Sequence, residues 1–179
     1  MTRTTTATDH AGEQYAEQHE YEWVLAAPFR AHLRELIDDG GLPWQAVAVA
    51  CGIPLRMTHT LLFGRHGRTL PKLPPRIARQ LLRVSPRDLR SLDRRPGNPE
   101  LAAQAAAVLH RRGMSVAEIA LLSRSDRATI QDLLQGAAIG WFDARTELLL
   151  RAACAQRGER WAEPVDPWRP ETDLELRAA

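Results

Sequence analysis

Lysine, cysteine and long apolar runs are scarce in this chain. Lys72 is the only lysine beside 23 arginines, a bias expected of a GC-rich genome. The two cysteines, Cys51 and Cys154, are too few for a disulfide framework. No apolar run approaches the roughly 20 residues needed to span a bilayer, and no apolar segment follows the polar start to form a signal peptide. We therefore expect a cytoplasmic protein without a membrane partner.

The residue patterns of enzymes are also missing. The six histidines are scattered, and none has a ligand spacing with a cysteine or carboxylate partner. The chain has no glycine-rich strand-to-helix turn, no nucleophile elbow and no paired carboxylates. We therefore expect no enzymatic activity, no metal site and no cofactor.

Positive charge is concentrated in the middle of the chain. Residues 55–95 hold eleven arginine and lysine residues against two aspartates. Residues 1–26 carry one arginine against five acidic residues, and residues 158–179 carry three arginines against six. A solvated basic face is the ordinary explanation of such a run. Here the run begins at Arg56, inside the helical stretch described next, and a surface that faces phosphate groups is the other explanation.

The stretch 44–64, WQAVAVACGIPLRMTHTLLFG, has the pattern of a helix-turn-helix. Ala48 supplies a small residue where the two helices cross, and Gly52, four residues later, tolerates the positive φ of the turn. Pro43 and Pro54 precede the two helices, where a missing N–H costs nothing. Apolar contacts between the helices are assigned to Val47, Cys51, Ile53 and Leu61. The outward residues of the second helix, residues 55–63, are then Leu55, Arg56, His59, Thr60 and Phe63.

The same pattern occurs a second time. An ungapped shift of 72 residues keeps the apolar positions in phase over 36 residues, which we interpret as an internal duplication. The aligned pairs include Leu33 and Ala105, Val47 and Ile119, Ala48 and Ala120, Leu61 and Leu133, and Gly64 and Gly136. The second copy departs from the first at its turn, where it has Ser123, Arg124 and Ser125. This departure leaves its turn geometry and its packing open.

After its second helix, the first copy has five additional residues, within the segment GRHGRTLPKLPP. We expect this basic loop, residues 64–72, to be extended and flexible, similar to the minor-groove arms that insert arginine. A plain solvated loop is the alternative. Base-reading residues are predicted to be Leu55, Arg56, His59 and Thr60. Phosphate or minor-groove contacts are predicted for Gln45, Arg65, His66, Arg68, Lys72, Arg76 and Arg79.

The remaining chain completes an all-α fold of two tandem helix-turn-helix subdomains. An acidic segment, 1–26, has a disordered start and allows a helix over 13–26. The first subdomain, 27–95, has a helix that begins at Pro28 and another from Pro75 to Val84 with Ile77, Leu81 and Leu82 inward. A linker over 94–99 leads to the second subdomain, 96–157. The tail, 158–179, contains Trp161 and Trp168 and is expected to pack over the core.

On these motifs the chain resembles helix-turn-helix transcriptional regulators over residues 28–157. Its arginine and alanine bias is similar to that of small duplicated regulators of high-GC bacteria. The resemblance implies sequence-specific binding of double-stranded DNA by a transcriptional regulator or a nucleoid-associated protein, located on the nucleoid.

Two questions stay open at this level. Arg127, Ala128 and Gln131 of the second copy either read a second major-groove segment or belong to a protein-binding or homodimer surface. The alternative function is a protein–protein adaptor that uses helix-turn-helix folds to bind RNA polymerase or another partner.

Overall fold

The computed structural model describes residues 23–137 and 141–158, which are mainly helical and confirm the all-α class. The described elements of the first half are β1 (Val24–Leu25), α1 (Ala26–Gly40), α2 (Trp44–Ala50), α3 (Leu55–Phe63), β2 (Lys72–Leu73), α4 (Pro75–Leu82), α5 (Pro86–Arg90) and a 3-10 helix (Leu92–Arg94). Those of the second half are α6 (Pro99–Arg111), α7 (Val116–Ser123), α8 (Arg127–Gln135) and α9 (Ala144–Gln156).

Several predictions lie outside the described residues: the disorder of the first residues, most of the helix over 13–26, and the packing of Trp161 and Trp168. The described end of the predicted 13–26 helix is wrong, because Val24 and Leu25 form a strand. Val24 pairs with Leu73 and Leu25 with Lys72 in an antiparallel ladder. This ladder ties the chain that follows the basic loop to the start of α1.

Helices α2 and α3 form the predicted helix-turn-helix. Pro43 and Pro54 stand immediately before the two helices, and Gly52 between them has a φ of 66°. The side chains predicted to hold the helices together are buried: Val47, Ala48, Cys51, Ile53 and Leu61. Local signals alone therefore located this motif, because both proline and glycine are tied to particular backbone geometries.

Helix α4 corrects one inward assignment. Leu82 is 64% exposed, whereas Ile77, Ala78 and Leu81 are buried. These three buried positions share one face at helical spacing, and Leu82 follows Leu81 by 100° around the axis, which turns it outward. The helix ends at Leu82, two residues earlier than predicted, and Val84 beyond it is buried instead.

The second half repeats the same helix bounds 72 residues later: α7 begins 72 residues after α2, and α8 spans the positions 72 residues after α3. Arg124 adopts the left-handed conformation, with φ 55°, where the first half has Gly52. Ser123 is buried, and its hydroxyl donates to the carbonyl of Ile119 at 2.8 Å. The turn of the second half therefore has the same left-handed backbone conformation as that of the first half, although its residues differ. A common origin of the two halves stays a prediction.

Helix α9 is shared by both halves. Every residue from 146 to 154 is buried. Leu148, Leu149 and Ala152 pack in the apolar core of the first half, whereas Leu150, Ala153 and Cys154 pack in that of the second. The linker lies against the residues before α9, since the Gly97 N–H donates to the Phe142 carbonyl at 2.8 Å. A Cβ at Gly97 would lie 2.7 Å from the Asp143 carbonyl oxygen, so glycine is required there.

Across the described ranges, no helix has both the length and the apolar character of a membrane span.

Candidate nucleic-acid interface

A groove of about 630 Å³ lies between α3 and the loop that follows it. Six of the predicted DNA-contacting side chains line this groove: Arg56, His59, Thr60, Arg65, His66 and Arg68. Gly64, Thr69, Leu70 and Pro71 complete its lining. Among these described residues none is acidic, so three arginine residues line one groove without a carboxylate among them.

The outward face of α3 is open to solvent. Arg56 and His59 are exposed, and Leu55 and Thr60 are partly exposed. The Thr60 hydroxyl donates to the Arg56 carbonyl at 2.8 Å, so its oxygen is left to act as an acceptor. Leu55 lies outside the groove lining.

The basic loop contains a tight turn at residues 65–68, so the prediction of an extended arm is wrong for these residues. The Arg65 N–H donates to the Arg68 carbonyl at 2.9 Å, and the Arg68 N–H donates back at 3.0 Å. His66 and Gly67 between them have φ values of 52° and 72°. Positive φ at both central residues defines the type I′ turn that closes two-residue hairpins. Glycine adopts it freely, and histidine does so more readily than most residues.

Gly64 fixes where this turn begins. Its φ is 78°, and a Cβ built on it would overlap with the Arg68 carbonyl oxygen. That contact is with backbone and cannot be relieved by a side-chain rotation. The chain can therefore fold back beside α3 only with glycine at position 64.

Arg30 on α1 holds the two walls of the groove together. Its Nε donates to the Leu61 carbonyl at 2.7 Å, and its Nη2 donates to the Leu70 carbonyl at 2.8 Å. This role is not visible in the sequence, because a helical arginine has no pattern that reveals a partner 31 or 40 residues away. The one available signal is that its counterpart in the second copy is Ala102.

Three aromatic rings, Trp44, His59 and Phe63, pack together beside the groove: Trp44 meets each of the other two edge to face, and His59 and Phe63 are tilted against each other. The centroids of Trp44 and His59 are 5.8 Å apart, those of Trp44 and Phe63 6.2 Å, and those of His59 and Phe63 4.8 Å. We call these residues the aromatic triad. His59 belongs both to the triad and to the groove lining.

The other residues predicted to contact DNA do not line the groove. Gln45 lines a separate cavity of about 220 Å³ between the two halves, together with Leu122 and Gln156. Lys72, Arg76 and Arg79 are exposed beyond the turn, on β2 and α4. They extend the basic surface of the first half without lining the groove.

The predicted reading face of the second half is exposed but differs in charge. Arg127, Ala128 and Gln131 lie on the outside of α8. The backbone N–H and the hydroxyl of Thr129 donate to Asp126, which lowers the pKa of that carboxyl and keeps it charged at the start of α8. The described residues after α8, Gly136 and Ala137, form no turn like that of residues 65–68.

The buried thiol of Cys51 lies in the core of the first half, and burial raises its pKa to about 12. It is therefore a packing residue and not a nucleophile. In the part of the chain that the structure describes, no group of His, Cys, Asp or Glu side chains could hold a metal ion.

Compared with models of known protein families, with curated proteins and with solved structures, the chain matches none of them.

Proposed function

We propose that the protein binds double-stranded DNA sequence-specifically, as a transcriptional regulator or a nucleoid-associated protein. In this proposal α3 enters the major groove and the turn at residues 65–68 lies against the sugar–phosphate backbone. The observation that carries the proposal is the groove itself. Arg56, Arg65 and Arg68 all line it beside the outward face of α3, with no carboxylate among the described lining residues.

The groove suits a phosphate backbone because guanidinium groups bind phosphate oxygens through two parallel hydrogen bonds. Arg56 is the second residue of α3, and side chains near the start of such a helix reach base edges. Arg65 and Arg68 lie on the turn, which in this proposal is next to the sugar–phosphate backbone of the DNA. Base reading is therefore assigned to Arg56 and backbone contact to the two turn arginines.

The second half is proposed as a protein contact surface, including one for a second copy of the chain. Asp126 and Asp132 place negative charge on α8, and the described residues beyond this helix supply no basic turn. A DNA footprint of one half-site per monomer supports this assignment. A footprint of two half-sites per monomer, about one helical turn or 34 Å apart, would contradict it.

The salt dependence of binding tests the proposal. Fluorescence anisotropy with random-sequence duplexes at several salt concentrations should give a steep loss of affinity, with a slope of about 0.9 for each phosphate contacted. Arg68→Ala should flatten this slope by about one contact. Arg111→Ala is the matched control, because Arg111 is an exposed arginine at the end of α6, outside the groove.

Two outcomes would count against the proposal. If the wild type and Arg68→Ala have equal slopes of affinity against salt concentration, the turn does not contact the phosphate backbone. Absent or salt-insensitive binding would overturn DNA binding altogether and favour the protein–protein adaptor.

A further inference from the structure

Within the aromatic triad, Trp44 packs against the apolar core of the first half, whereas Phe63 lies on the solvent side of α3, where core packing does not account for it. Phe63 is the last residue of α3 and is 60% exposed. The residues that attach α3 to the core, Thr58, Leu61 and Leu62, lie on the other side of the helix. Phe63 follows His59 by four residues, so the two rings share the outward face that also carries Arg56.

The triad is continuous with the basic groove. His59 contacts Trp44 and Phe63 on one side and lines the groove on the other. One exposed surface therefore joins three cationic side chains to an apolar patch of aromatic rings. A ligand that fits both parts must present anionic groups and an apolar group close together.

We infer that the aromatic triad contacts the C5-methyl group of thymine in the major groove, and that it selects sites with thymine at that position. This inference rests on the proposed function. Among the base edges of the major groove, the thymine methyl is the apolar group that distinguishes one base from the others. Phosphates bound by Arg65 and Arg68 supply the anionic part of the same ligand. The rings of Phe63 and His59 then exclude water from the methyl group.

Replacement of thymine by uracil isolates this contact, because the two bases differ only in the methyl group. Wild-type protein is first used to recover tight-binding duplexes from a random-sequence duplex library. The recovered duplex is then synthesised with deoxyuridine at one thymine at a time, and the affinity of each version is measured. We expect about a fourfold loss at one or two positions, as for removal of one buried methyl-sized group.

Variants assign the effect to the triad. Phe63→Ala should bind the thymine and uracil versions equally, whereas Phe63→Leu should keep part of the difference. Leu82→Ala is the matched control, because Leu82 is equally exposed at the end of α4 and lies outside the groove. Leu82→Ala should show the same difference in affinity between the thymine and uracil duplexes as the wild type. Urea denaturation of each variant establishes that it is folded.

The outcomes separate the two proposals. A recovered site without thymine, no uracil effect at any position, or an unchanged effect in Phe63→Ala would overturn the inference while DNA binding stands. Failure to recover any duplex, together with no salt-dependent binding, would overturn both.

Discussion

The Nε atom of Arg30 donates a hydrogen bond of 2.7 Å to the carbonyl oxygen of Leu61, near the end of α3. The last four carbonyls of a helix have no partner within the helix, so this bond satisfies a group that would otherwise need water. The same guanidinium also donates to Leu70 at the far end of the basic loop. One side chain of α1 thereby sets the position of both walls of the groove.

Arg30→Ala should therefore weaken the fold and DNA binding together. Two charge-assisted bonds to backbone carbonyls are lost, which corresponds to about 2 kcal/mol of unfolding free energy. Urea denaturation measures this loss, and amide hydrogen exchange should become faster over residues 65–70. Arg34→Ala, on the exposed side of α1, serves as the control and should change stability by less than about 0.5 kcal/mol. Unchanged exchange in the loop would contradict the role of Arg30.

Gly64 and Gly136 occupy equivalent positions, because each is the residue that follows its helix, α3 or α8. Both have positive φ, but a Cβ at Gly64 would overlap with the Arg68 carbonyl oxygen, whereas no atom of the described residues lies within 4 Å of a Cβ at Gly136. Gly136→Ala should lose about 1 kcal/mol, the left-handed cost alone. Gly64→Ala should lose more and should also weaken binding to duplex DNA. The pair is compared by urea denaturation and anisotropy, and equal losses in both variants would refute the assigned contact.

Arg56→Ala should reduce specificity more than general affinity. A bidentate contact between arginine and guanine contributes about 1 to 3 kcal/mol of discrimination. The variant should therefore bind the recovered duplex about tenfold to a hundredfold less tightly. Its affinity for random duplexes should change little, in contrast to Arg68→Ala. A uniform loss on all duplexes would reassign Arg56 to the phosphate backbone.

Two capping carboxylates make stability depend on pH. The backbone N–H and hydroxyl of Ser115 donate to Glu118, and those of Thr129 donate to Asp126, which holds the pKa of each carboxyl below its ordinary value of 4.5 or 3.8. Because the folded-state pKa values are lowered, this stabilisation is present above those ordinary values. It is lost as the pH falls through the folded-state pKa values.

The double variant Glu118→Gln with Asp126→Asn keeps polar caps that do not titrate. Its unfolding free energy should decline less steeply below pH 4.5 than that of the wild type. Urea denaturation between pH 7 and pH 3 measures both slopes. Parallel curves would show that the caps do not contribute to acid sensitivity.

The sequence predicted the helix-turn-helix because its signals are local. Pro54 and Gly52 restrict the backbone by their own chemistry, and Asn98 and Ser115 cap the helices that follow them. That Arg56, Arg65 and Arg68 line one groove agrees with their places on α3 and on the loop that directly follows it.

Features set by distant contacts could not be predicted in the same way. The two-residue strands β1 and β2 are too short to show an alternating pattern. The pairing of Arg65 with Arg68 depends on backbone hydrogen bonds that the composition of a glycine-arginine loop does not reveal. Trp44 was missed as a member of the triad because its partners lie on the next helix.

The packing of helix α9 against both halves could not be predicted because its charged residues are not on a solvent-exposed face. An amphipathic pattern assigns charged residues to solvent, yet Glu147 and Arg151 are buried and joined by an ion pair of 3.0 Å. Glu147 also accepts a hydrogen bond from the backbone N–H of Asn98 in the linker. A helix buried on all sides has no polar face from which its neighbours can be inferred.

Because α9 packs in both cores, removal of the second half by truncation should also destabilise the first half. A fragment that stops at residue 95 would lack Leu148, Leu149 and Ala152, and the hydrophobic surface they cover on α2 would be exposed to water. We expect such a fragment to aggregate, and intact protein to melt in a single cooperative step. A premature stop codon within α9 would thus destabilise the first half although it removes none of that half's own sequence.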